Sequence, residues 1–318
     1  MRDHGGNIDW AQAEYGGADW LDLSTGINRV PYPVPELPPE DWTMLPTRAA
    51  MAGLRAAAQV AYGTQAPIVA LAGAQAAIQM IPHLGRPGKA RVLAPTYNEH
   101  SACLRAQGWQ VAEVATLDDL AGADLAVLVN PNNPDGQTHK PGSVLRLAGR
   151  VGRLVVDESF ADANPELSVV AQAGQDGLLV LRSFGKFYGL AGLRLGFAIG
   201  SAADIAVLGD RAGPWPVSGA AIRIGRAALL DSAWAQATII RLRADAAQVD
   251  RLAQAAGWTL AGGTELFRLF DTGDAMAAQR RLAQHQIWTR VFPYSAGWLR
   301  LGLPGDPTEW ARLARALV

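Results

Sequence analysis

A single cysteine, Cys103, among 318 residues excludes an internal disulfide framework and a cysteine-based zinc cluster. The five histidines, at positions 4, 83, 100, 139 and 285, show no HExxH-type ligand spacing, so the sequence offers no metal centre. No apolar stretch approaches the ~20 residues of a membrane span. The opening MRDHGGNIDW lacks the apolar core of a signal peptide. No run of Lys and Arg is interleaved with aromatics. The 28 basic and 29 acidic residues leave a net charge of −1, and nothing steers the chain to nucleic acid or to an acidic membrane. The expectation is a soluble cytoplasmic protein with neither nucleic acid nor membrane as partner.

What the chain does have is apolar content, 49% of its residues. With this length, that suffices for one large domain or a large and a small one. From about Ala66, short apolar runs alternate with helical segments. PIVALAG precedes AQAAIQMIPHL, ARVLAP precedes HSACLRAQG, and DLAVLVN, RLVVDES, LLVLRS and RLGFAIG follow. This alternation predicts βαβ units and a mainly parallel sheet. The C-terminal third reads as a smaller α+β domain. In it, Asp231 and Ser232 open a long amphipathic helix ended by Gly257, ELFRLF and WLRLGLP form strands, and DPTEW starts a last helix with Asp306 as cap and Glu309 as its reciprocal partner. The proline-rich VPYPVPELPP reads as an extended arm. The expected division is an arm over residues 1–44, a large α/β domain over 45–215 and a small domain over 216–318.

Chemistry-bearing residues sit where strands end. ALAGAQAAIQ puts Gly73, Ala74 and Gln75 at a strand-to-helix turn, whose N–H groups suit a phosphate. VNPNNPDG, residues 129–136, follows another strand. VVDESF puts Asp157 and Glu158 at the end of a buried strand, where a carboxylate is costly without a cationic partner. RSFGKFYGLAGLRLGFA places Lys186 in a glycine-bearing turn after LLVL. The order and spacing are specific. N-P-N-N-P-x-G is followed by V-D-E-x-F with Asp157 24 positions after Asn133, then by S-x-x-K with Lys186 29 positions after Asp157, then by G-L-R-x-G.

In this order and spacing the set resembles the fold-type I, class I and II aminotransferase family of pyridoxal-phosphate enzymes, from the N-terminal arm to WLRLGLP. The resemblance implies a large cofactor-binding domain and pyridoxal 5′-phosphate as cofactor, with Lys186 as the Schiff-base amine. It gives Asp157 the ring nitrogen, Asn133 the ring hydroxyl oxygen and, in PTYNEH, Tyr97 the ring face. Gly73, Ala74, Gln75, Ser183 and Arg194 then hold the phosphate. Arg300, in WLRLGLP, matches the arginine that forks a substrate carboxylate. Asn133 also faces substrate in this scheme. A homodimer follows from the family's shared sites. Two departures stand out. Phe160 replaces the usual tyrosine three residues after Asp157, and Leu45 stands where many relatives have Tyr-Pro.

HGGN at residues 4–7, LDLSTGINRVPYP, PTYNEH and Phe160 are similar to the subgroup of that family that decarboxylates threonine phosphate in cobalamin biosynthesis. That likeness implies an amino acid phosphate as substrate, with His4 at its phosphate and Arg290, ten residues before Arg300, as a second anion-binding arginine. Decarboxylation and transamination use the same cofactor set, so the motifs leave a histidinol-phosphate-type aminotransferase as the alternative. A scaffold with a degenerate fold is a third reading, and the intact Lys186, Asp157, Asn133 and Arg194 argue against it.

Overall fold

The computed structural model describes residues 4–317. In chain order the strands are β1 (Leu21–Asp22), β2 (Ile68–Leu71), β3 (Lys89–Leu93), β4 (Gln110–Val114), β5 (Leu125–Val129), β6 (Leu154–Asp157), β7 (Leu178–Ser183), β8 (Gly196–Ile199), β9 (Thr259–Thr264), β10 (Phe267–Asp271), β11 (Ile287–Trp288), β12 (Arg290–Phe292) and β13 (Ser295–Gly302). The chain divides into two compact units. Among the described residues no helix is long and apolar enough to cross a membrane.

The larger unit comprises Tyr32–Asn133 and Thr138–Ala235. It carries one seven-stranded sheet in the order β2-β8-β7-β6-β5-β3-β4. The ladders from β4 through β3, β5 and β6 to β7 are parallel, and β8 runs antiparallel to both β7 and β2. The apolar runs of the sequence are these strands. β5 to β8 are buried along their whole length, as strands covered on both faces must be. Ala77, Ile78, Leu104 and Leu208 from three helices pack with Val92, Val127, Val155 and Leu179 of the sheet. The register sets Val129 beside Asp157 and Asp157 beside Leu181, so neighbouring strands end together. Ligand-binding loops in open α/β sheets leave from such carboxyl ends.

The larger unit runs on to residue 235, beyond the boundary at 215 expected from the sequence. The helix Gly219–Leu230 belongs to it, capped by the Ser218 hydroxyl, which accepts from the Ala221 N–H at 3.1 Å. It packs closely through Gly225, where a Cβ would lie 2.5 Å from Leu195 Cδ2 and 3.2 Å from Leu54 Cδ1. Leu54 is fully buried on the helix Arg48–Tyr62, which is capped by Thr47. The arm expected over residues 1–44 is likewise divided between the units. Tyr32 is buried in the larger one, with its N–H donating to the Tyr188 carbonyl at 2.9 Å and its ring edge-on to Trp234.

The smaller unit comprises the described residues of Met1–Pro31 and Gln236–Val318 together with Pro134–Gln137. Its four-stranded antiparallel sheet has the order β12-β13-β10-β9, and β1 pairs with β11 in parallel. Phe267, Leu269, Phe270, Leu299 and Leu301 are fully buried. From Gln236 on, this unit includes the long helix Ser232–Ala255, which starts where expected, in the last residues of the larger unit, with Asp231 accepting from the Trp234 N–H at 2.9 Å. Asp306 caps the helix Pro307–Leu317 through the N–H groups of Thr308 and Glu309, while the Glu309 carboxylate reaches one residue further back than a capping box, to the Gly305 N–H. β1, β4, β9, β11 and β12 were not anticipated. β4 is largely exposed, β9 contains two glycines, and β11 and β12 have two and three residues.

Leu54→Ala should cost about 2–5 kcal/mol, the usual loss for a fully buried leucine. Urea unfolding measures it, and a loss under about 1 kcal/mol would place the contact with the Gly219–Leu230 helix outside the core.

Candidate active site

Asp157 ends β6 and is 3% exposed. Burial pushes its carboxyl up. The hydrogen bond and charge of His100, then the Lys186 charge and a hydrogen bond from the Ser159 side chain, outweigh burial and hold it below the usual carboxylate range. His100 Nε2 lies 2.9 Å from Oδ2, and the Ser159 N–H donates to Oδ1 at 3.0 Å. His100 comes from the first turn of the helix Glu99–Ala106, which also buries Glu99 and Ser101. The sequence reading missed it. The signal was its place three residues after Tyr97, where a helix brings it back beside the same strand end.

Tyr97 lies edge-on to His100, and its hydroxyl donates to Gln75 Oε1 at 3.1 Å. Gln75 Nε2 in turn donates to Glu99 at 3.2 Å. Burial, with the charges of Glu99 and Asp157, pushes the Tyr97 phenol up to about 12 against the pull of Arg194. The loop holding Asn133 is tied to the Tyr97 loop, since Asn132 accepts from the Thr96 hydroxyl at 2.6 Å and donates to the Pro95 carbonyl at 2.9 Å. Asn133 itself is half-buried.

Lys186 sits in the four-residue helix Phe184–Phe187 that follows β7 directly. Phe184 and Phe187 are buried on either side of it, and Phe184 stacks on Tyr188, which stacks on Trp234. Gly185 is needed for space, because a Cβ there would lie 2.7 Å from Ala191 Cα. The Lys186 ammonium stands 5.0 Å from the centre of the Phe160 ring. Phe160 is thus an apolar face under the lysine.

Gly73, with φ 81°, precedes the helix Ala74–Met80. Gly196 of the G-L-R-x-G motif pairs with Ser183, and a Cβ on it would meet the Ala74 nitrogen at 2.4 Å and the Gly73 carbonyl carbon at 2.6 Å. Backbone meets backbone there. Arg194 is exposed, donates to the Ala191 carbonyl at 3.0 Å, and has Nη2 2.8 Å from where a Gly73 Cβ would stand. Gly73, Ala74, Ser183 and Arg194 therefore form one group.

The cationic partner expected for the acidic pair at the end of β6 is met differently by each acid. Glu158 is fully buried and accepts from Arg182 Nη1 at 2.9 Å, from the Ser168 hydroxyl and from the Val169 N–H. Arg182 Nη2 donates to Asp162 at 2.9 Å, and its guanidinium lies over the Tyr62 ring. Arg182 and Asp162 also went unread in the sequence.

In the smaller unit the structure brings His4, Arg290 and Arg300 together. Arg290 and Arg300 are direct cross-strand partners on β12 and β13. Arg300 is buried, donates from Nη2 to the Ser24 carbonyl at 2.8 Å, and lies over the Phe267 ring. Burial and the neighbouring Arg290 charge push its guanidinium down to about 10, against Tyr294 and Asp22. Arg290 Nη1 donates to the His4 carbonyl at 2.5 Å. Like charges placed directly opposite each other repel, and an anion between them relieves that cost.

The family model described as aminotransferase class I and II matches residues 45–317. The chain belongs to that family. Threonine-phosphate decarboxylases of Pseudomonas aeruginosa and of a Sinorhizobium species are each 42% identical to it, over 100% and 99% of this chain and 98% and 97% of theirs. Histidinol-phosphate aminotransferase of Sinorhizobium meliloti, whose structure is in complex with pyridoxal-5′-phosphate, superposes with a TM-score of 0.83 at 18% identity, covering 98% of this chain and 93% of its own. The α/β fold with its mainly parallel sheet is that of the family.

His100→Asn should raise the Asp157 carboxyl, because it removes the hydrogen bond and charge that offset burial. The folded carboxyl sits below its ordinary value, so its contribution to stability is present above the ordinary carboxylate range and is lost as pH falls through the folded value. The substitution moves that loss to higher pH. Carbon-13 NMR of labelled aspartate follows the titration, and an unmoved Asp157 would show that His100 does not set it.

Proposed function

We propose that the protein decarboxylates L-threonine O-3-phosphate to (R)-1-amino-2-propanol phosphate with pyridoxal 5′-phosphate as cofactor, a step of cobalamin biosynthesis in the cytoplasm. The observation that carries this reading is the 42% identity over the full chain. It includes the first 44 residues, with HGGN and STGIN, which lie ahead of the family match.

The cofactor fits the larger unit by the chemistry of the donors. A buried carboxylate suits a protonated ring nitrogen, an amine suits an aldehyde, and the N–H groups of Gly73, Ala74 and Gln75 with Ser183 and Arg194 suit a phosphate. When bound, it supplies a sink for the electron pair left at the substrate Cα as the bond to the carboxylate breaks. Asp157, held ionised, presents one full negative charge to the ring nitrogen. Tyr97 would cover the ring face and Asn133 would donate to the ring hydroxyl oxygen. Lys186 supplies the amine that holds the cofactor and the proton that replaces the departing carbon dioxide at Cα.

Arg300 takes the α-carboxylate as a bidentate fork. Arg290 and His4 take the phosphate, whose binding energy fixes which bond at Cα is broken. Two arginines in register suit a substrate with two anions. Histidinol phosphate has one. The reading includes a homodimer, supported by the exposed Val34, Trp42, Met44 and Leu45, an apolar series of the kind that marks an interface.

Purified holoenzyme should release carbon dioxide from threonine phosphate and form no glutamate from histidinol phosphate with 2-oxoglutarate. The reverse result would overturn the assignment. Arg290→Ala should lower kcat/KM for threonine phosphate by roughly 10- to 150-fold, the worth of one hydrogen bond to a charged group. Free threonine should be affected far less.

Light scattering should give about twice the 33.7 kDa chain mass. A fully active monomer would remove the homodimer from the reading.

A further inference from the structure

Ser24 is 1% exposed, and its polar atoms reach four ways. Its N–H and its hydroxyl both donate to Asp22 Oδ1, at 2.8 and 2.6 Å. Its hydroxyl oxygen accepts from the Gly6 N–H at 2.6 Å, and its carbonyl accepts from Arg300 Nη2 at 2.8 Å. Gly5 rests directly on that carbonyl. A Cβ on Gly5 would stand 2.5 Å from the Ser24 oxygen, 3.2 Å from its carbon and 3.3 Å from Thr25 Cγ2. The nearest obstruction is backbone and does not yield, so the glycine is demanded by contact. On the other side of the segment the Trp288 indole N–H donates to the Gly6 carbonyl at 2.9 Å, and Arg290 Nη1 donates to the His4 carbonyl.

We infer that Ser24 and Gly5 form a single positioning joint for both arginines. The Ser24 carbonyl aims Arg300, and the Ser24 hydroxyl seats Gly6 and hence the His4 carbonyl that aims Arg290. The inference rests on the reading that the arginine pair takes the substrate's anions. A backbone carbonyl orients a guanidinium through a charge-assisted bond while adding no net negative charge. Asp22 stands two residues behind, with its Oδ1 engaged by Ser24. The arrangement directs two neighbouring cations on β12 and β13 by dipoles, and it couples them through one residue, whose backbone carbonyl meets Arg300 and whose hydroxyl holds the segment that meets Arg290. A supporting group of this kind sets how closely the binding groups match their ligand.

The test uses holoenzyme of the wild type, Gly5→Ala, Ser24→Ala and the double variant. Two quantities are read, the dissociation constant of inorganic phosphate by calorimetry and the split of KM against kcat for threonine phosphate. Each single variant should weaken inorganic phosphate about tenfold, the lower end for a hydrogen bond to a charged group. KM should rise by a similar factor with kcat within roughly twofold. The double variant should be no weaker than the weaker single, since both substitutions unseat the same His4–Gly6 segment on Ser24. Phosphate affinity within roughly twofold of wild type in either single, or losses that multiply to about a hundredfold in the double, overturns the joint. So does a wild type that fails to bind inorganic phosphate, or a loss confined to kcat. A wild type that binds phosphate but leaves threonine phosphate intact sinks the substrate reading alone, and the phosphate affinities still decide the joint. If Gly5→Ala does not fold, Ser24→Ala carries the phosphate measurement by itself.

Discussion

A carboxylate at the buried end of a strand is costly unless its charge is answered on the spot, and the larger unit is organised around answering it at Asp157. The answer comes from three separate elements. The Glu99–Ala106 helix supplies His100, the turn after β6 supplies the Ser159 N–H, and the turn after β7 supplies the Lys186 charge. Each donor fixes the element that carries it. The tie runs on from that helix through Glu99 and Gln75 to the start of the Ala74–Met80 helix, where Gly196 lets β8 lie against the turn. Phosphate-suited N–H groups, amine and buried acid are therefore set by one connected requirement.

The smaller unit faces the opposite sign of the same problem. Arg290 and Arg300 stand in register, and burial makes the charge on Arg300 expensive. Carbonyl dipoles and the faces of Phe267 and Phe292 meet the guanidiniums.

Much of this could be read in the residues. Apolar runs without alternation became the buried strands, and the spacing from Asn133 to Asp157 to Lys186 followed from one chain passage between neighbouring strand ends. What escaped reading depends on contacts that no local pattern records. His100 was one of five histidines, and only the turn of its helix onto Asp157 distinguishes it. The helix Gly219–Leu230 looked like the start of the small domain because its amphipathic pattern does not say which core it serves. Gly225 decides that through its contact with Leu54 and Leu195. The arm was judged by its prolines, which set an extended backbone, whereas Tyr32 within it found an aromatic site of its own.

Arg182 gives one guanidinium nitrogen to Glu158 and the other to Asp162, with Tyr62 beneath it. This has a bearing on descent. Lysine is no substitute at that position, because a single ammonium lacks the fork that spans two carboxylates. Neither acid can become an amide without leaving a buried guanidinium poorly matched. Glu158 adjoins Asp157 and Arg182 adjoins Ser183, so the three positions form a lock with the candidate chemistry on the next residue to either side. A change at any one of the three leaves a buried charge poorly answered, so substitutions there must come together or not at all.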